Sequence, residues 1–217
     1  MKRTYITLMA MALIGSFACN NNSAPADAAK TDSTEKTKEE AAAPPDSATM
    51  MKAWMNYMTP SEMHKMLASC DGEWVSEITM CMAPDAPPSN NTSVCTNKMI
   101  LGGRYQQSEH KGSFDGMPFE GMSTTGYDNA KKKFISTWID NMGSGMMYME
   151  GTYDAASKTM SSSGKQVDPV SGKDMDVRET LTFIDNDHQT MEMFMTPVGG
   201  KEYKNMEIKY TRKVKAK

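Results

Sequence analysis

The chain has 217 residues, with 24 basic and 27 acidic side chains, three histidines and a formal net charge of −3. That length suits one self-sufficient domain with an extension, and the near-balanced charge leaves nothing basic enough to grip nucleic acid. The only basic cluster, 209–217, reads as a solvated end strand. In chain order the first element is an export signal: Lys2 and Arg3 precede an apolar run from Ile6 to Ile14, and Ser16, Phe17 and Ala18 lead to Cys19. The run is too short to span a bilayer and has no stop-transfer flank, so residues 1–18 are expected to be cut away. Losing Lys2 and Arg3 leaves 22 basic against 27 acidic groups, a net charge of −5.

Cys19 followed at once by Asn20, Asn21, Asn22 and Ser23 resembles a bacterial lipoprotein signal, although Ser16 stands where that pattern prefers Leu. The resemblance implies lipidation of Cys19 with palmitate-type acyl chains. It also implies residence in the bacterial cell envelope, held to the membrane through that anchor, with the membrane face left open. The alternative is an ordinary signal peptide that happens to contain a cysteine. Residues 19–48 are then a tether of Ala, Pro, Ser, Thr, Lys, Asp and Glu with little to bury, too polar to offset its own ordering entropy. Its r.m.s. reach is about 30 Å.

The folded domain is expected over 49–217, opening with one or two short helices. Met50, Met51, Trp54, Met55 and Met58 recur at helical spacing behind Asp46 as N-cap. Thr59, Pro60 and Glu62 then spell a capping box for a second helix with Met63, Met66 and Leu67 as its buried stripe, and His64 beside them reads as a surface or capping residue. After Asp71-Gly72 short alternating runs follow, with turn signals every ten or so residues. Strands are predicted near 73–82, 93–109, 118–127, 132–140, 145–153, 158–166, 175–184, 189–196 and 203–214. Short connections favour an antiparallel meander, and a sheet this wide removes its edges by closing. The predicted fold is therefore all-β, an antiparallel up-and-down barrel of about 8–10 strands.

With Cys19 lipidated, three cysteines remain. Cys81 and Cys95 flank the turn-rich segment APDAPPSNN and form a possible disulfide, but strand alternation puts them out of phase. The 24 methionines stand where Leu, Ile and Val would otherwise alternate, which favours core filler; Met191, Met193 and Met195 on one strand face leave Cu(I) or Ag(I) binding as a minor reading.

Two resemblances rest on specific residues. Gly72-Glu73-Trp74 at the first strand looks like the Gly-x-Trp signature of lipocalin-like (calycin) barrels, which implies that Arg212 on the last strand packs over Trp74 to close the barrel. The strings TPSEMHKML, GEW, MILGGRY, GMPFEGMSTTGYDN, FISTWIDNMGSGMM, VDPVSGKD and MEIKYTRK together resemble the bacterial domain of unknown function 1579. That family implies secreted or lipid-anchored proteins with a β-rich fold and no catalytic residues to carry over. The methionine load and Cys70, Cys81 and Cys95 depart from its pattern.

No nucleophile elbow, zinc-binding helix, Cys-x-x-Cys pair, phosphate loop or dinucleotide fingerprint occurs, so no cofactor, metal or catalytic residue is assigned. His64, His110 and His188 fall on a helix, near a strand end and in a turn, which argues against a shared metal site. Arg104, Tyr127, Trp138, Asp140 and Arg178 are the candidate ligand-binding set: an acid, two guanidinium groups and aromatic walls suited to a small amphipathic molecule. Alternatively, Asp140 closes a turn and the arginines pair with Glu179 or other carboxylates. The expected function is binding of a small apolar or amphipathic molecule without catalysis. The alternatives are an enzyme using Asp140 and Arg178 at the barrel mouth, or a packed envelope module that binds only protein.

Overall fold

The computed structural model describes residues 45–214; the expected signal, Cys19 and the tether up to Pro44 lie outside them. Helix α1, Ser47–Met58, is capped as its sequence predicts: the Asp46 carboxylate accepts from the Thr49 amide at 2.9 Å. Its stripe finds no partner among the described residues, and Trp54 remains 60 % exposed. The Asn129 amide, in a turn of the sheet, holds the end of the helix by donating to the carbonyls of Asn56, Tyr57 and Thr59.

Helix α2, Glu62–Ser69, starts two residues later than the Thr59-Pro60 pattern suggests. Ser61 is its N-cap, and the His64 ring nitrogen Nδ1 accepts from the Ser61 amide at 2.9 Å. His64 thus takes the capping role that the motif gives to Glu62, which is an exposed partner of Lys65.

Ten strands follow: β1 Gly72–Met80, β2 Ser89–Ile100, β3 Tyr105–Phe114, β4 Met117–Asp128, β5 Lys133–Asp140, β6 Met147–Asp154, β7 Thr159–Val167, β8 Asp174–Phe183, β9 His188–Thr196 and β10 Tyr203–Arg212. Each pairs antiparallel with its chain neighbours, and β10 closes on β1. The strand expected over 93–109 is two strands. The chain reverses at Leu101, Gly102 and Gly103, with φ of 48°, 68° and 80°, and two consecutive glycines make that left-handed passage cheap. β5 and β6 pair over only Phe134 to Trp138, the shortest seam in the wall.

Side chains alternate between the solvent and the barrel axis. One interior cluster joins Met149, Val177, Met191, Met193, Met195 and Ile208, so the three alternating methionines of β9 are core. A second joins Leu67 of α2 to Phe134 and Met160, and a third joins Cys70, Trp74 and Cys95. Both clusters lie at the end that α2 plugs.

Candidate ligand-binding interior

The sealed end is built from the orphan carbonyls at the C-terminus of α2. A helix leaves its last carbonyls unpaired, and here barrel side chains reach up to satisfy them. The Trp74 indole donates to the Cys70 carbonyl at 2.9 Å, Gln106 to that of Leu67 at 2.6 Å, and the Arg212 guanidinium to those of Asp71 and Ser69 at 2.7 and 2.8 Å. The Arg212 guanidinium carbon also lies 4.2 Å above the Trp74 ring, in register with it across β1 and β10. The stopper is therefore held by hydrogen bonds, by the cation over the indole and by the burial of Leu67.

At the opposite end no helix covers the opening among the described residues. Each of its five connections carries or adjoins an exposed methionine or valine: Met82, Met117, Met146, Val170 and Val198, with Met142 beside Met146. Of the sealed-end turns, those over 129–132 and 155–158 carry none, while the other two expose Leu101 and Ile184.

Between the two ends the wall turns small residues inward. Ser76 faces Ser93, which faces Gly112; Ser108 faces Ser123; Gly151 faces Ser162. An eight-stranded barrel is just wide enough for its own side chains, so ten strands lined by serine and glycine leave room along the axis. The inward ionisable groups report the same room. Glu179 of β8 lies opposite Ser162 and Met193, and burial pushes its carboxyl up to about 7. Yet Glu179 keeps accessible surface, as do His110 and Tyr210. A group that is both crowded by protein and accessible faces a space inside the wall. Burial likewise holds the His110 imidazole down at about 4 and the Cys95 thiol up at about 12, and it raises the Tyr210 phenol, on which the charges of Cys95 and Glu179 also act.

These groups form a polar belt that the protein leaves incompletely paired. The Cys95 thiol donates to Asn97 Oδ1 at 3.0 Å and lies 3.5 Å from His110 Nε2, whose ring meets the edge of Trp138 with centroids 5.1 Å apart. The hydroxyls of Ser76 and Ser93 are buried with no partner, and the Glu179 carboxylate makes no hydrogen bond or ion pair among the described residues.

The five residues singled out from the sequence do not converge. Trp138 faces inward, with its indole donating to Asp140 Oδ2 at 2.7 Å, while Asp140 Oδ1 accepts from the Met142 amide, so Asp140 serves both the interior and a turn. Tyr127 packs at the sealed end against Phe134 and His64. Arg104 is exposed in the β2–β3 turn, donating to the Leu101 carbonyl. Arg178 lies on the outer wall, its guanidinium 3.9 Å from the Phe194 ring centroid and bonded to Glu202 at 2.8 Å. It borders an open groove of about 600 Å³ that also includes Lys165 and Asp176, themselves paired with each other. Alternation decides this: β8 turns Met175, Val177, Glu179 and Leu181 inward, so the adjacent Arg178 must face out.

Cys81 and Cys95 are both free thiols. The register that sets Cys95 opposite Trp74 puts it toward the sealed end, whereas Cys81 follows Met80 at the open end.

Gly121 shows how tightly the belt is fitted. A Cβ there would stand 2.6 Å from the Trp138 ring. Gly121→Ala is expected to cost about 1–3 kcal/mol through overpacking and to rotate the indole off His110. Near-ultraviolet circular dichroism beside a denaturation curve reads both, and an unchanged aromatic signal would show that the ring yields without moving.

The fold has a solved counterpart in Rv2717c from M. tuberculosis. Its crystal structure superposes with a TM-score of 0.53 at 13% identity, covering 72% of this chain and 100% of that one. At this identity the likeness is of fold alone. A redesigned β-barrel covers 68% of this chain and 95% of its own at 13% identity, with a TM-score of 0.37, too distant to add to the argument. No curated protein matches the chain. A family model described as a protein of unknown function, DUF1579, matches residues 59–212, which span the stopper helix and the whole barrel. The chain belongs to the DUF1579 family.

Proposed function

We propose that this protein is an envelope-anchored binding protein whose barrel holds a small amphipathic molecule along its axis without transforming it. The observation that carries this reading is the inward set Glu179, His110 and Tyr210, crowded by protein yet accessible to an interior space. Unpaired hydroxyls at Ser76 and Ser93 support it, because native interiors leave few polar groups without partners. The methionine-lined wall beside the belt suits a flexible apolar tail. Binding is favoured over catalysis by the state of the inward pair Cys95 and His110. With the Cys95 thiol pushed up to about 12 and the His110 imidazole down to about 4, both are neutral at pH 7 and form no reactive thiolate.

Titration with the neutral dye Nile red tests the interior. Saturable one-to-one enhancement of emission is expected, weakened at least tenfold by Ser136→Phe, which fills the inward face opposite Met149. Absence of saturable binding to the folded protein, or indifference to Ser136→Phe, would sink the reading.

The anchor is tested separately at Cys19. Cys19→Ser is expected to abolish incorporation of labelled palmitate and to move the protein out of the detergent phase, since each buried methylene of an acyl chain contributes about 0.8 kcal/mol. Unchanged partitioning would remove the anchor and leave the binding reading standing.

A further inference from the structure

We propose that the interior selects amphiphiles bearing a protonated amine, with the Glu179 carboxylate as counter-ion. This rests on the interior-binding reading and names the ligand class it would take. The argument is a census of inward charge. The strand lysines 98, 111, 133, 165, 204 and 209 occupy outward positions, each out of phase with the inward series of its strand. Arg212 is the one cation turned toward the axis among the described residues, and it is committed to the sealed end by the Trp74 ring, the carbonyls of Ser69, Asp71 and Asn186, and the Asp187 carboxylate at 3.1 Å. His110 is held neutral. An anionic head entering the barrel would find no positive partner and would lose its hydration for nothing.

A cation meets the opposite situation. Glu179 stands on the wall with no hydrogen bond or ion pair of its own among the described residues, so an ammonium group would supply the missing partner. The inward side chains of Trp138 and Tyr210 add aromatic surface to the same wall. Of the other acids that meet the interior, Asp140 near the open end is engaged by Trp138 and Met142, and Asp71 at the sealed end by Gln106 and the Met99 amide, which leaves Glu179 as the unengaged carboxylate. The exposed methionines and valines around the opening, and the methionines below them, give the tail an apolar path along the wall.

Competition at pH 8 between Nile red and three ten-carbon probes, decylamine, decanol and decanoate, tests the assignment on the full mature chain. Decylamine is expected to displace the dye at a concentration at least tenfold below decanoate, with decanol between them. Glu179→Gln is expected to bring decylamine to the level of decanol measured on the same variant, with far-ultraviolet circular dichroism showing that the variant keeps its fold. Decanoate equal to or better than decylamine, or an amine advantage that survives Glu179→Gln, would overturn the proposal. Displacement by decanol with no amine advantage would overturn only the charge assignment. Failure of the dye and of all three probes to bind would overturn the interior-binding reading along with it.

Discussion

Trp74→Ala is expected to destabilise the barrel by about 3–5 kcal/mol, the range for deleting a large buried aromatic. The ring is 1 % exposed, packs with Cys70 and Cys95, and spends its only polar hydrogen on the Cys70 carbonyl. Its loss empties the joint between stopper and wall and leaves that carbonyl with Asn97 as its remaining side-chain donor. Arg212→Ala is expected to cost about 2–3 kcal/mol, because hydrogen bonds from a charged donor contribute about 1.5–3 kcal/mol each and some of this guanidinium is solvated. The two losses should not add. The stacked cation and indole share about 1 kcal/mol of contact that either substitution removes, so the double variant should fall short of the sum by that amount. Urea denaturation of the four proteins measures it, and additivity within about 0.3 kcal/mol would dissolve the pairing.

Glu179→Gln is expected to stabilise the empty protein at pH 8 by about 3 kcal/mol and to do nothing at pH 4. The unfolded carboxyl titrates near 4.5 and the folded one at about 7, because burial disfavours its charge. Below 4.5 both states are protonated and the glutamate is neutral in its effect. Between 4.5 and 7 the unfolded chain releases a proton that the folded chain keeps, so stability drains away as pH rises and is fully lost above 7. At about 1.4 kcal/mol per pH unit that interval sets the ceiling, and the accessible surface that the carboxyl keeps lowers the figure to about 3 kcal/mol. His110 acts in the other direction: its folded value of about 4 lies below 6.5, so its contribution is present above 6.5 and lost as pH falls toward 4. Wild-type stability should therefore be nearly level across the overlap of the two intervals, and His110→Gln should unmask the glutamate's decline. Thermal melts from pH 4 to pH 8 would show it. A wild-type profile unchanged by Glu179→Gln would mean that the carboxyl is hydrated in the folded protein.

Much of the barrel was legible in alternation and turn residues. Trp74, Ile78 and Met80 share a phase, Gly72 stands at φ +119° just before them, and Arg212 shares its phase with Tyr210 and Ile208, so the closing pair could be read from the two ends of the chain. The β2–β3 reversal was missed because Met99, Ile100 and Leu101 continue an apolar run into Gly102-Gly103, a turn signal that the run outweighed. Charge and aromaticity singled out Arg178, but the phase set by Met175, Val177 and Leu181 selects its neighbour Glu179, a signal that was present and outweighed by residue type. His110 was hidden more deeply. Gln106, Ser108 and His110 face inward while Glu109 and Lys111 face out, so β3 is polar on both faces and offers no hydrophobic period to set its phase. The helix start moved from Thr59 to Ser61 because a histidine lone pair can serve where a glutamate was expected.

The even number of strands brings Gly72 and Arg212, the first and last residues of the wall, to the same rim, the one that α2 stoppers. The wall is therefore entered and left at the stoppered rim, and among the described residues the opposite aperture is bounded by turns alone, so lengthening any of those five turns would reshape the mouth without touching the seam between β1 and β10.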